Sequence, residues 1–317
     1  MKNTHSVSLI ILTKNAGDAF AALLNKVFKQ KFSGEFEVLI IDSGSSDNTL
    51  TIAKNYPVRI YTIKPEEFQF SRTRNLGGNL AKNNILVYIS QDAIPIDGQW
   101  LEKLVTPLKD SKIAAVYGRQ TAHKNANLME KFFYHFFYPK VPKTITSKSI
   151  EQNLEDFYVS NAFISNVNAA MKKSIWTKIK FDESIIFSLD KKWALDVLKA
   201  GYNILYMPDS CVYHSHNYSL ISAFKRRFDD GAAMQLICKG DKGKYGPRTI
   251  IVYLINEFKY LVKSGHFMWI PYTLIYESFK LAGIIFGRNV DMLPYAVKIR
   301  LSENKKWWIS VRNKTAR

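Results

Sequence analysis

The chain has 317 residues, 47% of them hydrophobic, enough for one large domain or a domain with an appendage. Its two cysteines, Cys211 and Cys238, exclude a disulfide framework and point to a reducing, cytosolic setting. A formal charge of +18 suits an anionic partner such as nucleic acid, a membrane surface or a phosphorylated substrate. The charge is uneven, because from Asn217 onward 18 Lys and Arg face 7 Asp and Glu.

The first apolar run, Val7 to Leu12, is too short for a signal-peptide core or a membrane span, so the body of the chain is expected in the cytoplasm. "VSLIIL" instead suits a strand buried on both faces. "AFAALLNKVFKQ" follows with helical spacing, then the strand "FEVLIID" and a helix "SDNTLTIAKNY" capped by Ser46 or Asp47. "VRIYTI", the helix "SRTRNLGGNLAKN" and the strand "NILVYIS" keep the rhythm. Such alternation implies an α/β chain with an open, largely parallel sheet and ligands outside the carboxyl ends of its strands. Thr13 to Asn15, Asp42 and Asp92 all fall at such ends.

"GQWLEKLVTPLKD" then reads as a helix and "KIAAVYG" as a strand. Residues from about 125 to 157 are aromatic and poorly patterned, and "FFYHFFYPKVPKT" suggests a mobile flap or an acceptor-facing loop. "NVNAAMKKSIW" and "SLDKKWALDVLKAGYNILYM" restore strand, turn, helix and strand, with Gly201 as a helix stop. From about Ser219 the character changes. "LISAFKRRFDDGAAM" reads as a basic amphipathic helix. "RTIIVYLINEFKYLVK" and "FMWIPYTLIYESFKLAGIIFG" are apolar and aromatic but interrupted by Glu257, Lys259, Glu277 and Lys280. Those charges disfavour spanning helices and suit helices in a membrane interface or packed on the domain. Trp307 and Trp308, among terminal cations, suit anionic headgroups or ordinary helix packing.

Five places carry chemistry. Asp42 precedes a Ser/Gly turn, where its carboxylate would accept bonds from a base imide or ribose, or simply close an Asx-turn. No phosphate-loop lysine and no G-x-G-x-x-G accompanies it. Arg72 and Arg74, near a helix start with Gly77 and Gly78 one turn on, suit phosphate oxygens or a basic surface turn. Asp92 ends a buried strand, as a turn residue or as a metal ligand beneath a diphosphate. Asp190 opens a helix ahead of Trp193. His214 and His216, two apart, would share one side of a strand and favour at least one metal or phosphate contact. No nucleic-acid recognition motif appears, so nucleic acid is not expected as a partner.

In order, "LTKN", "IDSGSSDNT", "FSRTRN", "SQDAIP", "YGRQ", "SNVNAAMKK", "LDKKWAL" and "VYHSHNYS" resemble the inverting family 2 glycosyltransferases of A-type fold. Within them the chain is most similar to bacterial rhamnosyltransferases of cell-surface polysaccharide synthesis. The resemblance runs from Val7 to about Gly231 and is loose beyond, carried there by "FGRNVDMLP". It implies a Rossmann-like mixed sheet flanked by helices over 1–217, with a basic amphipathic helical appendage over 218–317.

Residue by residue, it implies that Thr13, Asn15 and Asp42 hold base and ribose, with Arg74 near the diphosphate and Gln91 beside it. Asp92 takes the place of the last carboxylate of an Asp-x-Asp metal motif, Asp190 that of the catalytic base, and His214 or His216 that of a later metal ligand. Gly118, Arg119, Gln120, Asn166 and Asn168 are candidates for the sugar or acceptor pocket, and Trp193 for a platform under a sugar ring or a core residue. The cofactor would be Mn²⁺ or Mg²⁺, the donor dTDP-rhamnose or a UDP-sugar, and the acceptor a saccharide or a lipid-linked sugar. The enzyme would sit on the inner face of the cell membrane, its basic tail against anionic lipid. Two positions depart from the pattern. Ser90 stands where the first Asp of the metal motif would be, and Leu189 where a Glu commonly precedes the base.

Overall fold

The computed structural model describes residues 5–150, 153–161, 163–238 and 245–315. The first half alternates as its periodicity requires: β1 (Ser6–Thr13), α1 (Ala19–Phe28), β2 (Glu35–Asp42), α2 (Thr49–Ala53), β3 (Val58–Thr62), α3 (Phe70–Leu80) and β4 (Ile85–Ile89). Then come β5 (Ile94–Pro95), α4 (Trp100–Val105), β6 (Ile113–Thr121), α5 (Leu128–Phe137), β7 (Lys143–Ile145), α6 (Leu154–Ser160), β8 (Asn168–Lys172), α7 (Lys173–Lys178), α8 (Leu189–Lys199) and β9 (Asn203–Tyr213). Five helices follow: α9 (Leu220–Cys238), α10 (Tyr245–Lys263), α11 (Ile270–Arg288), α12 (Tyr295–Leu301) and α13 (Lys305–Thr315).

The strands form one mixed sheet in the order β3-β2-β1-β4-β8-β6-β9-β5, with β7 added on β9. Helices cover both faces, which is why the inner strands are largely apolar. Successive side chains point to opposite faces. Ile10, Leu39, Ile41, Leu86 and Tyr88 enter one core, while Leu9, Ile11, Val38, Ile40, Val87 and Ile89 enter the other. The pairs β1–β2, β2–β3, β1–β4 and β6–β9 are parallel. β8 runs antiparallel between β4 and β6, with Asn168 opposite Ile89. That reversal brings the start of β8 to the edge where β1, β2, β4, β6 and β9 end.

Several local expectations are corrected. The aromatic stretch near 125–157 holds α5, β7 and α6, and Phe132, Phe136 and Phe137 pack their rings on Tyr253 of α10. The flap reading fails because the partner of these rings lies more than a hundred residues away in sequence. Neither Ser46 nor Asp47 is the residue before α2; that place falls to Asn48, while Asp47 Oδ1 accepts from the Thr49 N–H at 3.0 Å. Gly77 and Gly78 serve close packing rather than phosphate approach: a Cβ at Gly77 would meet Ile10 and one at Gly78 would meet Trp176. Gly201 stops α8 as expected, at φ +86°, where a side chain would be strained.

The basic amphipathic reading of α9 gives way to a helix buried along much of its length through Ala223, Phe228, Ala232 and Ala233. Its Met234, Ile237 and Cys238 share a core with the sheet. Trp308 is buried beside Phe228 and Ala232 rather than offered to headgroups.

Candidate functional site

The carboxyl edge of the sheet opens into a cleft of about 230 Å³. Thr13 and Lys14 at the end of β1, Ser43 after β2, Arg74 in α3, Ser90 to Asp92 after β4, and Asn166 before β8 line it. Apart from Arg74, which α3 carries, each arrives there because a strand begins or ends at this edge and its chain must turn.

Asp92 stands at the mouth. Its oxygens lie 3.7 Å from Nε2 of His214 and 3.5 Å from Nε2 of His216. The two imidazole nitrogens are 3.2 Å apart, and ligand atoms from all three residues fall within 4.8 Å of one another. Both histidines follow the end of β9, so a loop rather than strand alternation turns them inward.

His214 is held from behind. Its Nδ1 lies 2.8 Å from Oε1 of Gln120 and 3.1 Å from the Tyr134 hydroxyl. Gln120 Nε2 in turn donates to the Tyr138 hydroxyl at 2.8 Å, which leaves Oε1 as the acceptor. With Nδ1–H donating to Gln120, Nε2 presents a lone pair to the cleft. Burial pushes the His214 pKa down to about 4, only partly opposed by the Asp92 carboxylate, and burial lowers His216 as well. Neutral imidazoles and one carboxylate make a donor set that fits a divalent metal.

Deeper in the cleft lie two polar side chains with unsatisfied atoms. Arg74 Nε is buried without a partner, and neither Nδ2 nor Oδ1 of buried Asn166 has one. Burial lowers the Arg74 pKa, opposed by the charge of Asp190, yet a guanidinium remains cationic in proteins. Unsatisfied buried polar groups are costly, so their persistence at a cavity wall fits groups that meet a ligand. Asp190, partly exposed, adjoins this wall. Its Oδ2 accepts from the Asn166 N–H at 3.0 Å and its Oδ1 from the Lys191 N–H at 3.0 Å. Leu189 is buried in the core, so two backbone donors orient Asp190 where a polar neighbour had been expected.

Other candidates take structural positions. Asp42 is fully buried and spent within its turn: Oδ2 accepts from the Gly44 and Ser45 N–H groups, each at 2.9 Å, and Oδ1 from Thr13 Oγ1 at 3.2 Å. The Asx-turn reading describes it, and Ser43 rather than Asp42 faces the cleft. Asn15, at φ 48°, accepts from the Ser46 N–H at 2.9 Å and shapes the same loop. Gln91 ties strand ends together, accepting from the Lys14 N–H at 2.8 Å.

Asn168 is fully buried, its amide donating to the carbonyls of Arg119 and Ser210 and accepting from the Trp100 indole. Gly118 gives that amide room, and Arg119 Nε donates to the Tyr138 carbonyl at 3.2 Å. Trp193 is a core residue, fully buried with its indole on the Ile179 carbonyl, so the sugar-platform reading is corrected. Arg72 pairs with Glu183 at the surface.

Ser43, Phe68, Phe70 and Tyr88 line the cleft without having been singled out, whereas Lys14 lies within the noted span from Thr13 to Asn15. Ser43 adjoins Asp42, which is the one signal available. Tyr134 and Tyr138, which hold His214 and Gln120, lay in the stretch read as a flap.

The family description "Glycosyl transferase family 2" matches residues 8–169. The O-antigen chain rhamnosyltransferase RfbN of Salmonella typhimurium is 31% identical over 315 residues, covering 96% of each chain. WbaN, an O-antigen chain rhamnosyltransferase of Salmonella anatum, is 31% identical over 310 residues with the same coverage. Among solved structures, the mannosyltransferase PcManGT of Pyrobaculum calidifontis, in complex with GDP-Man and Mn²⁺, superposes with a TM-score of 0.58 at 15% identity. It covers 90% of this chain and 88% of its own. TarS of S. aureus gives 0.55 at 17% identity, over 80% of this chain and 43% of TarS. These two likenesses concern the fold, which is of the A type. An α/β sheet with its cleft at the strand ends, together with sequence kinship along nearly the whole chain, places the protein in glycosyl transferase family 2, as a glycosyltransferase close to the O-antigen rhamnosyltransferases.

Proposed function

We propose that the protein transfers L-rhamnose from dTDP-rhamnose, with inversion, to a saccharide or lipid-linked acceptor in cell-surface polysaccharide synthesis. The observation that carries this reading is the convergence of Asp92, His214 and His216 at the mouth of a cleft whose wall holds Arg74 and Asn166. The identity to the two Salmonella rhamnosyltransferases supports the choice of sugar.

Asp92 with His214 and His216 would hold Mn²⁺ or Mg²⁺, and imidazole donors favour Mn²⁺. When bound, the cation supplies positive charge to the departing diphosphate. Arg74 supplies fixed positive charge for the same oxygens. The nucleoside lies over the ends of β1 and β2, against Thr13, Lys14 and Ser43. Asn166, with both amide atoms unpaired, orients sugar hydroxyls. Asp190 accepts the proton of the acceptor hydroxyl as that oxygen bonds to the anomeric carbon. The bond from this carbon to the diphosphate oxygen breaks, its electron pair leaving with the nucleotide. Attack from the opposite side inverts the centre.

The test is a donor panel with purified protein, Mn²⁺ or Mg²⁺, and a saccharide acceptor. Turnover of dTDP-rhamnose above UDP-hexoses is expected. Preference for a UDP-hexose would replace the rhamnose assignment, and no turnover of any nucleotide sugar would overturn the transfer reading.

A further inference from the structure

Helices α10 and α11, joined through a short 3-10 turn at Phe267–Trp269, are built inside out. Glu257 and Thr273 are fully buried, and Lys280 is 8% exposed with its amine on Glu277 at 2.6 Å. Glu257 and Lys280 face Glu130 of α5, and Glu277 faces Arg227, which is paired with Asp230 on α9. The side turned outward is mainly apolar, with Arg248, Lys259 and Lys263 of α10 its exposed charges. Ile251 is 58% exposed, Ile255 47%, Phe267 58%, Met268 76%, Ile275 51% and Phe286 46%. No exposed residue of α11 is charged, and its terminal Arg288 is drawn to Glu155.

Water-facing helices place charge outward and apolar stripes inward. Reversal of that pattern over two adjacent helices and their turn marks a face that meets an apolar medium. We propose that this face of α10 and α11 seats the protein on the surface of an anionic lipid bilayer. Exposed Lys259 and Lys263 lie on α10 beside the turn, where they complement anionic headgroups and would repel one another across a self-associated copy. Trp269 on that turn and Tyr272 in the first turn of α11, both half-exposed, are aromatic side chains of the kind enriched at the headgroup level. No helix among the described residues is long and apolar enough to cross a membrane, so the pair lies in the interface rather than through it. This surface is separate from the cleft and does not depend on the transfer reading.

Flotation of the full chain with vesicles of phosphatidylglycerol and phosphatidylcholine, against phosphatidylcholine alone, tests the assignment. The protein is expected to float with the anionic vesicles, and the double substitution Ile275→Asp, Phe286→Asp to reduce binding at least about tenfold. Donor hydrolysis measured without vesicles should be unchanged in that variant. Lipids brominated on the acyl chain should quench fluorescence, and Trp269→Phe should remove most of that quenching, a readout independent of the double variant. Equal flotation of wild type and variant, or quenching untouched by Trp269→Phe, would overturn the proposal. So would a lipid-free dimer, seen by light scattering, that the double substitution dissolves.

Discussion

The Nε2 atoms of His214 and His216 stand 3.2 Å apart on one side of the Asp92 carboxylate. Two lone-pair nitrogens have no reason to approach so closely unless a proton or a cation lies between them and the acid. Asp92→Ala is therefore expected to abolish Mn²⁺-dependent nucleotide binding by titration calorimetry. His214→Ala should weaken it by at least about tenfold. Unchanged affinity in either variant would remove that residue from the metal set.

Gln120 acts on this centre through His214. Gln120→Leu removes the nearer acceptor of Nδ1 and leaves it only the Tyr134 hydroxyl at 3.1 Å, and metal affinity should fall about 10–100-fold. Gln120→Glu keeps an acceptor at 2.8 Å and should retain most of the affinity. A residue that merely filled space would rank the two variants the other way, since leucine is the better buried side chain.

Asp190→Asn preserves an oxygen for the Asn166 N–H, so the wall of the cleft should survive. Turnover is expected to drop by about 10²–10⁴, with donor binding intact by calorimetry. Near-normal turnover would take Asp190 out of the base role.

Glu257 sets a pH dependence of stability. Burial, reinforced by the charge of Glu277, pushes its pKa from 4.5 up to about 8. Between those values the folded chain keeps a proton that the unfolded chain has released. Its stabilising contribution is full below pH 4.5 and is lost as pH rises through 8. Glu257→Gln should therefore gain thermal stability over wild type progressively from pH 5 to 9, in paired melting curves. A constant difference across that range would refute the assignment.

Helices α9 and α11 touch backbone to backbone. A Cβ at Gly287 would fall on the Phe228 carbonyl and the Ala232 nitrogen, and one at Gly283 on the Phe224 carbonyl. Gly287→Ala should cost about 1–3 kcal/mol, read as a lowered urea midpoint at constant slope. No loss would mean that the helices separate freely.

Much of this architecture was legible residue by residue. The run at Val7 to Leu12 announces a strand buried on both sides and the run at Val38 to Ile41 a second strand, and Asp92 was visible as a lone acid at a strand end. Less could be read where the partner is remote. Phe132, Phe136 and Phe137 look like an unpatterned loop because the ring they pack on, Tyr253, belongs to another helix far along the chain. Asp42 looked like a nucleotide contact, yet its turn already takes both oxygens.

Strand and helix periodicities arise from neighbours within a few residues, so linear order was enough to specify the alternation and which strand ends would share an edge. The antiparallel return of β8, which delivers Asn166 and the backbone holding Asp190, has no such local signature. Nor does the Gln120 contact behind His214, or the outward apolar face of α10 and α11. Those follow from which surfaces bury one another in three dimensions, where contacts between distant residues are weighed against solvent.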